Sequence, residues 1–402
     1  MTSPYTIVSS ANYAEAFDLL MSTDKLPPAF NYLLPLNPDA RGSYKLVYYG
    51  SSIRKSFEDD GNYDLAEEIF EDDRIDESVF LLEIGSLEFK TSREKLMQKL
   101  PKYNESSYMK RDNVIVPELV ADTMVYEYDD DGNVEKTHYC VITKARRCKT
   151  DLFEWFPMQR EVDAIDLVSQ FVDLFVVLSD FMNDGLYFTD VKAENVIHCG
   201  DHLAFIDLDS LLTLQNALRG RGGVVTYPAA DEYMRLRKIF TNGNKTVKER
   251  AKSIILFCRL YTLFAFSFMV LHYYWRTVSG KNLTLDNLPT RAELDKDLEG
   301  RFARHISGRH DGMKLLLLSR RTIEKIYLDK TFDRLKALQL LKDWTIFSDL
   351  VLRPLQRRKL IKERRQKRIA PPSSRKRKRG EQEEKGSSGL RIRIPPNRAL
   401  LF

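Results

Sequence analysis

Asp190, Lys192 and Asn195 stand at i, i+2 and i+5 in the string Gly185-Leu-Tyr-Phe-Thr-Asp190-Val-Lys192-Ala-Glu-Asn195-Val-Ile. Asp207 closes the apolar run Leu203-Ala-Phe-Ile, and Asp209 follows after Leu208. An acid, a base and an amide at this spacing, with a second acid at the next strand end, could orient a hydroxyl and hold Mg²⁺. Magnesium prefers hard oxygen ligands and needs few from protein when phosphate and water complete its shell. The set suits phosphoryl transfer, where catalysis is mostly positioning and charge neutralisation.

These residues need elements to hold them. The apolar periodicity of Asp163–Met182 predicts a long helix stopped by Asn183-Asp-Gly185, just ahead of the loop. Short strands are expected at Val196–Ile197 and Leu203–Ile206. Upstream, Ser43–Tyr49 and Val79–Ile84 read as strands, and Ser92–Leu100 as a short helix. Met124–Tyr128 and His138–Thr143 read as strands joined across Asp129-Asp-Asp-Gly132-Asn133, a hairpin signal. Tyr13–Met21 has helical spacing, and Pro27, Pro28 and Pro35 interrupt regular structure after it. Helices are also expected at 247–275, Leu315–Ile326 and Phe332–Phe347. The expected class is α+β, strand-rich first and helix-rich after residue 145. Ser253–Tyr274 is nearly long enough to span a membrane, but Arg259 interrupts it. We read it as a buried core helix and expect no membrane partner.

Charge divides along the chain. The formal net charge is +5, from 63 Lys+Arg against 58 Asp+Glu. Residues 357–402 carry +13, which leaves −8 for residues 1–356. The body is therefore not a uniformly basic nucleic-acid binder. Residues 58–77 hold eleven acids and one base, Arg74, and read as a solvated loop or short exposed helix with a weak apolar stripe of Leu65, Ala66, Ile69 and Phe70. The four cysteines, Cys140, Cys148, Cys199 and Cys258, form no C-x-x-C pair. They are expected as thiols in an intracellular chain without a signal peptide. His198-Cys199-Gly-Asp-His202 reads as a polar turn between strands rather than a metal site.

At the first set of residues the chain resembles the eukaryotic-type protein kinases. Asp190-Val-Lys192-Ala-Glu-Asn195 is similar to that family's D-x-K-x-x-N loop, and Asp207-Leu-Asp209 to its D-F-G motif. The D-x-K form is the Ser/Thr type. The resemblance implies a bilobal fold that uses ATP and Mg²⁺ on protein substrates. Asp190 would accept or orient the hydroxyl proton, and Lys192 would neutralise the γ-phosphate. Asn195 and Asp207 would bind the metal, with Asp209 as the alternative to Asp207. Asp151-Leu-Phe-Glu154-Trp155 would be the hinge, and Gly223–Glu232 the end of an activation segment. Phe188 and Thr189 replace the family's His and Arg, so control by activation-segment phosphorylation is not expected. Such divergence occurs in active kinases encoded by large DNA viruses and in pseudokinases.

The small lobe departs further. Gly42-Ser43-Tyr44-Lys45-Leu46-Val47-Tyr48-Tyr49-Gly50 resembles the second half of a glycine-rich phosphate-covering loop. Glu83 stands where the family's strand lysine is expected, and a carboxylate there would repel phosphate. In the with-no-lysine kinases the lysine comes from the glycine-rich loop, in a G-S-F-K-x-V-Y-x-G string. By that likeness Gly42, Ser43, Tyr44, Lys45 and Val47 would cover the nucleotide, with Lys45 on the phosphates and Glu94 as its helix partner. If Arg93 faces inward instead, Glu83 and Arg93 form a charge-swapped pair.

The implied organisation is an N-terminal extension at 1–35, a kinase-like domain at 36–350 with lobes at 36–145 and 146–350, and a basic, largely unfolded tail at 351–402. In the tail, Lys367/Arg368 and Arg375–Arg379 flank a Pro/Ser spacer, which resembles a bipartite nuclear-import signal. That implies an import receptor as partner and a nuclear address. A nucleic-acid arm acting by counterion release is the competing reading of the same charges. The alternative to an active kinase is a pseudokinase scaffold carried by this tail.

Overall fold

The computed structural model describes residues 10–41, 45–105, 112–148, 150–158, 163–208, 211–213, 230–241, 243, 246–302 and 310–369. Residues 1–355 form one compact unit, and 356–402 a second. The first unit is α+β, with a strand-rich region followed by a larger helical portion.

The strand-rich region begins with α1 (Ser10–Met21), α2 (Pro28–Leu33), β1 (Ala40–Arg41), β2 (Lys45–Tyr49), α3 (Gly50–Asp59) and α4 (Tyr63–Phe70). It continues with β3 (Ser78–Ser86), α5 (Leu87–Met97), α6 (Pro101–Glu105), β4 (Glu118–Tyr128) and β5 (Val134–Arg146). The strands form an antiparallel sheet in the order β1-β2-β3-β5-β4. The β4–β5 hairpin turns where Gly132 takes φ +80°, and Asp129 accepts the backbone N–H groups of Asp131 and Asn133. Glycine is needed there because a side chain disfavours that backbone region.

Strand alternation gives the sheet two unlike faces. Leu46, Tyr48, Phe80, Leu82, Ile84, Cys140 and Ile142 point to one face and are buried there. Ala16, Leu20, Phe30 and Leu33 from α1 and α2, Ile53 and Phe57 from α3, and Ala66 and Phe70 from α4 complete that core. Lys45, Val47, Leu81, Glu83, Val141 and Thr143 occupy the alternate positions, so they share the other face.

Two expectations need correction here. Residues 58–77 do hold a short helix, one of the two readings, but it is not simply exposed, since α4 drives Phe70 into the core and Arg54 of α3 pairs with Glu67 and with Asp76, the latter at 3.0 Å. The weak stripe of Ala66 and Phe70 outweighs the surrounding charge because the acids find cations, as Asp72 does at 3.2 Å from Lys144. Gly50 starts α3 rather than ending a phosphate loop. A Cβ there would fall 1.6 Å from the Ile75 carbonyl oxygen, so glycine is required by close packing.

The helical portion follows β6 (Thr150–Asp151) and α7 (Leu152–Met158). It comprises α8 (Ala164–Asn183), β7 (Leu186–Phe188), β8 (Val196–His198), β9 (Leu203–Phe205), β10 (Leu211–Thr213), α9 (Ala230–Thr241), α10 (Val247–Ser279), α11 (Arg291–Phe302), α12 (His310–Ile323) and α13 (Arg334–Ile369). Asp163 caps α8 by accepting from the N–H groups of Ile165 and Asp166, as an N-cap acid does. Thr246 and Glu249 form a capping box on α10, and Gly280 ends it at φ +70°. By length and composition α10 could cross a membrane, but 78% of its most apolar window is buried inside the fold. Its apolar residues pack with those of α8, α12 and α13 in one core, where Phe175 meets Trp344 and Phe347 at 5.1 and 5.0 Å.

Helix α13 contributes Trp344, Phe347 and Val351 to that core. In the second unit the chain stays helical to Ile369, and the rest of the basic, largely unfolded tail expected from the sequence lies outside the described residues. Arg375–Arg379 lie outside the described residues, as does Gly223–Ala229 of the proposed activation segment.

Candidate functional site

Three short pairings hold the Asp190 loop. β7 pairs with β10, β8 with β9, and β6 with β8. The loop lies between β7 and β8, so both of its ends are fixed. Phe188 at its entrance is buried edge-on against Phe205 at 5.3 Å. The loop is closed internally by Asn195, whose Nδ2 donates to the Asp190 carbonyl and to Asp190 Oδ2, both at 2.9 Å. Its backbone carbonyl accepts from Ile206 N–H at 3.0 Å, which ties the loop to the segment leading into Asp207.

Asp190 is buried, and Lys192 Nζ lies 3.5 Å from its Oδ2. Its Oδ1 is buried with no hydrogen-bond partner among the described residues. Burial holds the carboxyl above the usual carboxylate range, against the pull of Lys192 and Asn195, while the nearby Asp207 charge pushes it further up. A carboxylate so placed is suited to accept a proton from a group that reaches Oδ1.

Asp207 follows β9 with φ +54°, in the left-handed region that Asp tolerates better than most residues. Its Oδ1 accepts from Lys45 Nζ at 2.6 Å. The lysine from β2 and the acid after β9 therefore meet across the strand-rich and helical regions. Val47 lies on the Lys45 face of the sheet and is half-buried. Asn195 turns its amide nitrogen to Asp190, so its amide oxygen is the atom that could serve a cation. With Asp207 it supplies hard oxygen donors, a set that fits Mg²⁺ when phosphate and water complete the shell. No group of three or more His, Cys, Asp or Glu among the described residues is placed to hold a metal by itself.

Other expected residues are elsewhere. Glu94 lies on the exposed side of α5, 4.0 Å from Lys90, whereas the acids described beside Lys45 are Asp207 and Glu83. The neighbouring Arg93 faces inward and binds Glu83 at 2.6 Å. This follows from helical geometry, since α5 turns only one of two adjacent residues toward the sheet. Gly42, Ser43, Tyr44 and Asp209 lie outside the described residues, and Glu232 falls in α9. The His198–His202 segment is a turn, with Cys199 N–H donating to the His202 carbonyl at 2.8 Å.

Two supports escaped the sequence reading. Cys148 and Cys199 form a disulfide, which corrects the expectation of four thiols, and Cys140 and Cys258 are the buried free thiols. The pairing of β6 with β8 brings these residues together across 51 positions, a closeness their spacing does not announce. Asp112–Val116 lies along β9, with Phe205 N–H donating to the Asn113 carbonyl at 2.8 Å and Ile115 N–H to the Phe205 carbonyl at 3.0 Å. Only the short apolar run Val114-Ile-Val116 signals this contact.

In comparisons with known proteins, the chain matches no family model and no curated protein.

Proposed function

We propose that this chain is a protein kinase of divergent, bilobal type that transfers the γ-phosphate of ATP to Ser or Thr of protein substrates. The observation that carries the reading is the 2.6 Å contact between Lys45 and Asp207. It joins the one lysine of the glycine-containing string to the strand-end acid, as a phosphate-binding cleft between two lobes requires. Asp190, with a buried oxygen that lacks a partner, supplies the proton acceptor beside it.

In this reading Lys45 releases Asp207 in part and takes up nucleotide phosphate oxygens. Asn195 and Asp207 hold Mg²⁺, which neutralises phosphate charge when bound. Asp190 orients the substrate hydroxyl through Oδ1 and accepts its proton. Lys192 stabilises the ionised Asp190 and the transferring group. The basic segment 367–379 would engage an import receptor and give a nuclear address. Nucleic-acid binding is the competing role for the same charges, and steep salt dependence would mark it.

Radiolabel transfer from ATP to a mixed protein substrate tests the reading in wild type, Asp190→Ala and Lys45→Met. We expect loss of transfer in both variants. Activity that survives Asp190→Ala would sink the mechanism. One observation favours a scaffold instead, namely that Lys45 lies 3.8 Å from the buried Glu83 carboxylate, which weakens its pull on phosphate. Thermal stabilisation by Mg-ATP separates the two, because a ligand that binds only the native state raises its stability.

A further inference from the structure

We infer that Arg93 is a positioning residue that occupies Glu83 and thereby delivers Lys45 to the cleft. The inference rests on the proposed nucleotide role of Lys45. Lys45 and Glu83 are directly opposed on adjacent antiparallel strands and share a face. Opposite charges so placed attract one another. Glu83 is 4% exposed, so its charge must be matched inside the protein.

Two cations serve two carboxylates here. Arg93 Nη2 lies 2.6 Å from Glu83 Oε2 and 3.4 Å from Thr143 Oγ1. The other Glu83 oxygen, Oε1, is 3.8 Å from Lys45 Nζ, too far for a hydrogen bond. Lys45 instead donates to Asp207 at 2.6 Å. Remove Arg93, and Lys45 is the cation that the described residues leave beside both acids. Asp207 has a side chain 36% exposed, so water can solvate it, whereas Glu83 has no such recourse. Coulomb attraction is stronger where the surroundings are less polar, so Lys45 would turn to Glu83 and leave the cleft.

The pair thus does more than fasten α5 to the sheet. A carboxylate on β3 would trap the lysine on β2 unless a second cation satisfied it first. Arg93 is suited to that task because its guanidinium stays charged when buried and bonds along fixed directions.

The test measures Mg-ATP affinity by calorimetry, with thermal melting recorded for each variant. Arg93→Met should weaken binding about 10- to 100-fold, the worth of a charge-assisted hydrogen bond. Glu83→Gln should keep binding near wild type. Glu83→Gln combined with Arg93→Met should recover affinity, because no buried carboxylate is left to capture Lys45. A merely structural Arg93 predicts that affinity follows melting, so a double variant that regains its melting temperature but stays as weak a binder as Arg93→Met overturns the inference. Wild-type affinity in Arg93→Met at temperatures where it is fully folded overturns it too, and leaves the functional reading standing. Should Arg93→Met fail to fold, the double variant decides: near-wild-type affinity supports the inference, and lost affinity in a folded double variant refutes it. A wild type that binds no Mg-ATP overturns the functional reading and this inference with it.

Discussion

Asp190 and Glu83 are both buried carboxylates beside a lysine, and the protein treats them in opposite ways. Glu83 is matched by Arg93 at 2.6 Å, with Thr143 close by. Asp190 receives an amide from Asn195 on one oxygen and leaves the other buried without a hydrogen-bond partner among the described residues. A buried acid that is paired contributes to the architecture. A buried acid left half-satisfied costs stability and persists where a ligand completes it. The contrast separates an acid that supports the fold from the acid to which the proposed function gives the chemistry.

The largest expected effect comes from removing the half-satisfied acid. Asp190→Ala should lower the turnover number for phosphate transfer by about 10²–10⁴-fold, the usual contribution of a positioned base. Steady-state transfer assays measure this, and melting should change little because the variant also removes a desolvated charge. If the fold collapses instead, Asp190 belongs with Glu83 as a structural acid.

Breaking the satisfied pair should act on stability first. Arg93→Met strands a buried charge and should cost about 3–5 kcal/mol, whereas changing Glu83 and Arg93 together should recover most of that. Urea unfolding of the single and double variants checks it. Equal losses in both would mean that packing, not charge, holds α5 to β3.

The tether between β6 and the β8–β9 turn is a smaller effect. In the chain-entropy view, closing a loop across 51 positions is worth about 4 kcal/mol. Cys148→Ser should lower stability by up to that amount, and non-reducing peptide mapping should recover a Cys148–Cys199 linked pair. A peptide map with four alkylated thiols from non-reduced protein would remove the tether from the account.

The finest test is pH. Asp190 is held above the usual carboxylate range, mainly by burial, and works as a base only when ionised. Activity should therefore fall as pH drops through that raised value. Lys192 pulls the value down, so Lys192→Met should move the acidic limb to higher pH. The pH profile of kcat/KM reads this even if the maximal rate also falls. A limb that does not move would detach Lys192 from Asp190.

Much of the site could be read in order along the chain. The Asp190–Asn195 loop, the strand leading to Asp207 and the helix before them are local features, written in periodicity and in short spacings. The β4–β5 hairpin was equally legible from Asp129–Asn133. The likeness of Gly42–Gly50 to the with-no-lysine string singled out Lys45, and the structure sets that lysine against Asp207. The choice between Arg93 and Glu94 was not legible, since one residue of offset on α5 decides which side chain faces the sheet. In the acidic 58–77 stretch a short helix was legible but its burial was not, because eleven acids outnumber the apolar residues that seat α4 in the core.

The sequence by itself determined the α+β class, the loop that could do chemistry and the split between an acidic body and a basic tail. These rest on residue type and near-neighbour spacing. Only the tertiary structure decided that Lys45 meets Asp207, that Arg93 rather than Glu94 turns inward, and that Cys148 joins Cys199. Each of these joins residues brought together by strand pairing or helix rotation. A contact across 162 positions, as between Lys45 and Asp207, exists only once the sheet and the loop have packed against each other.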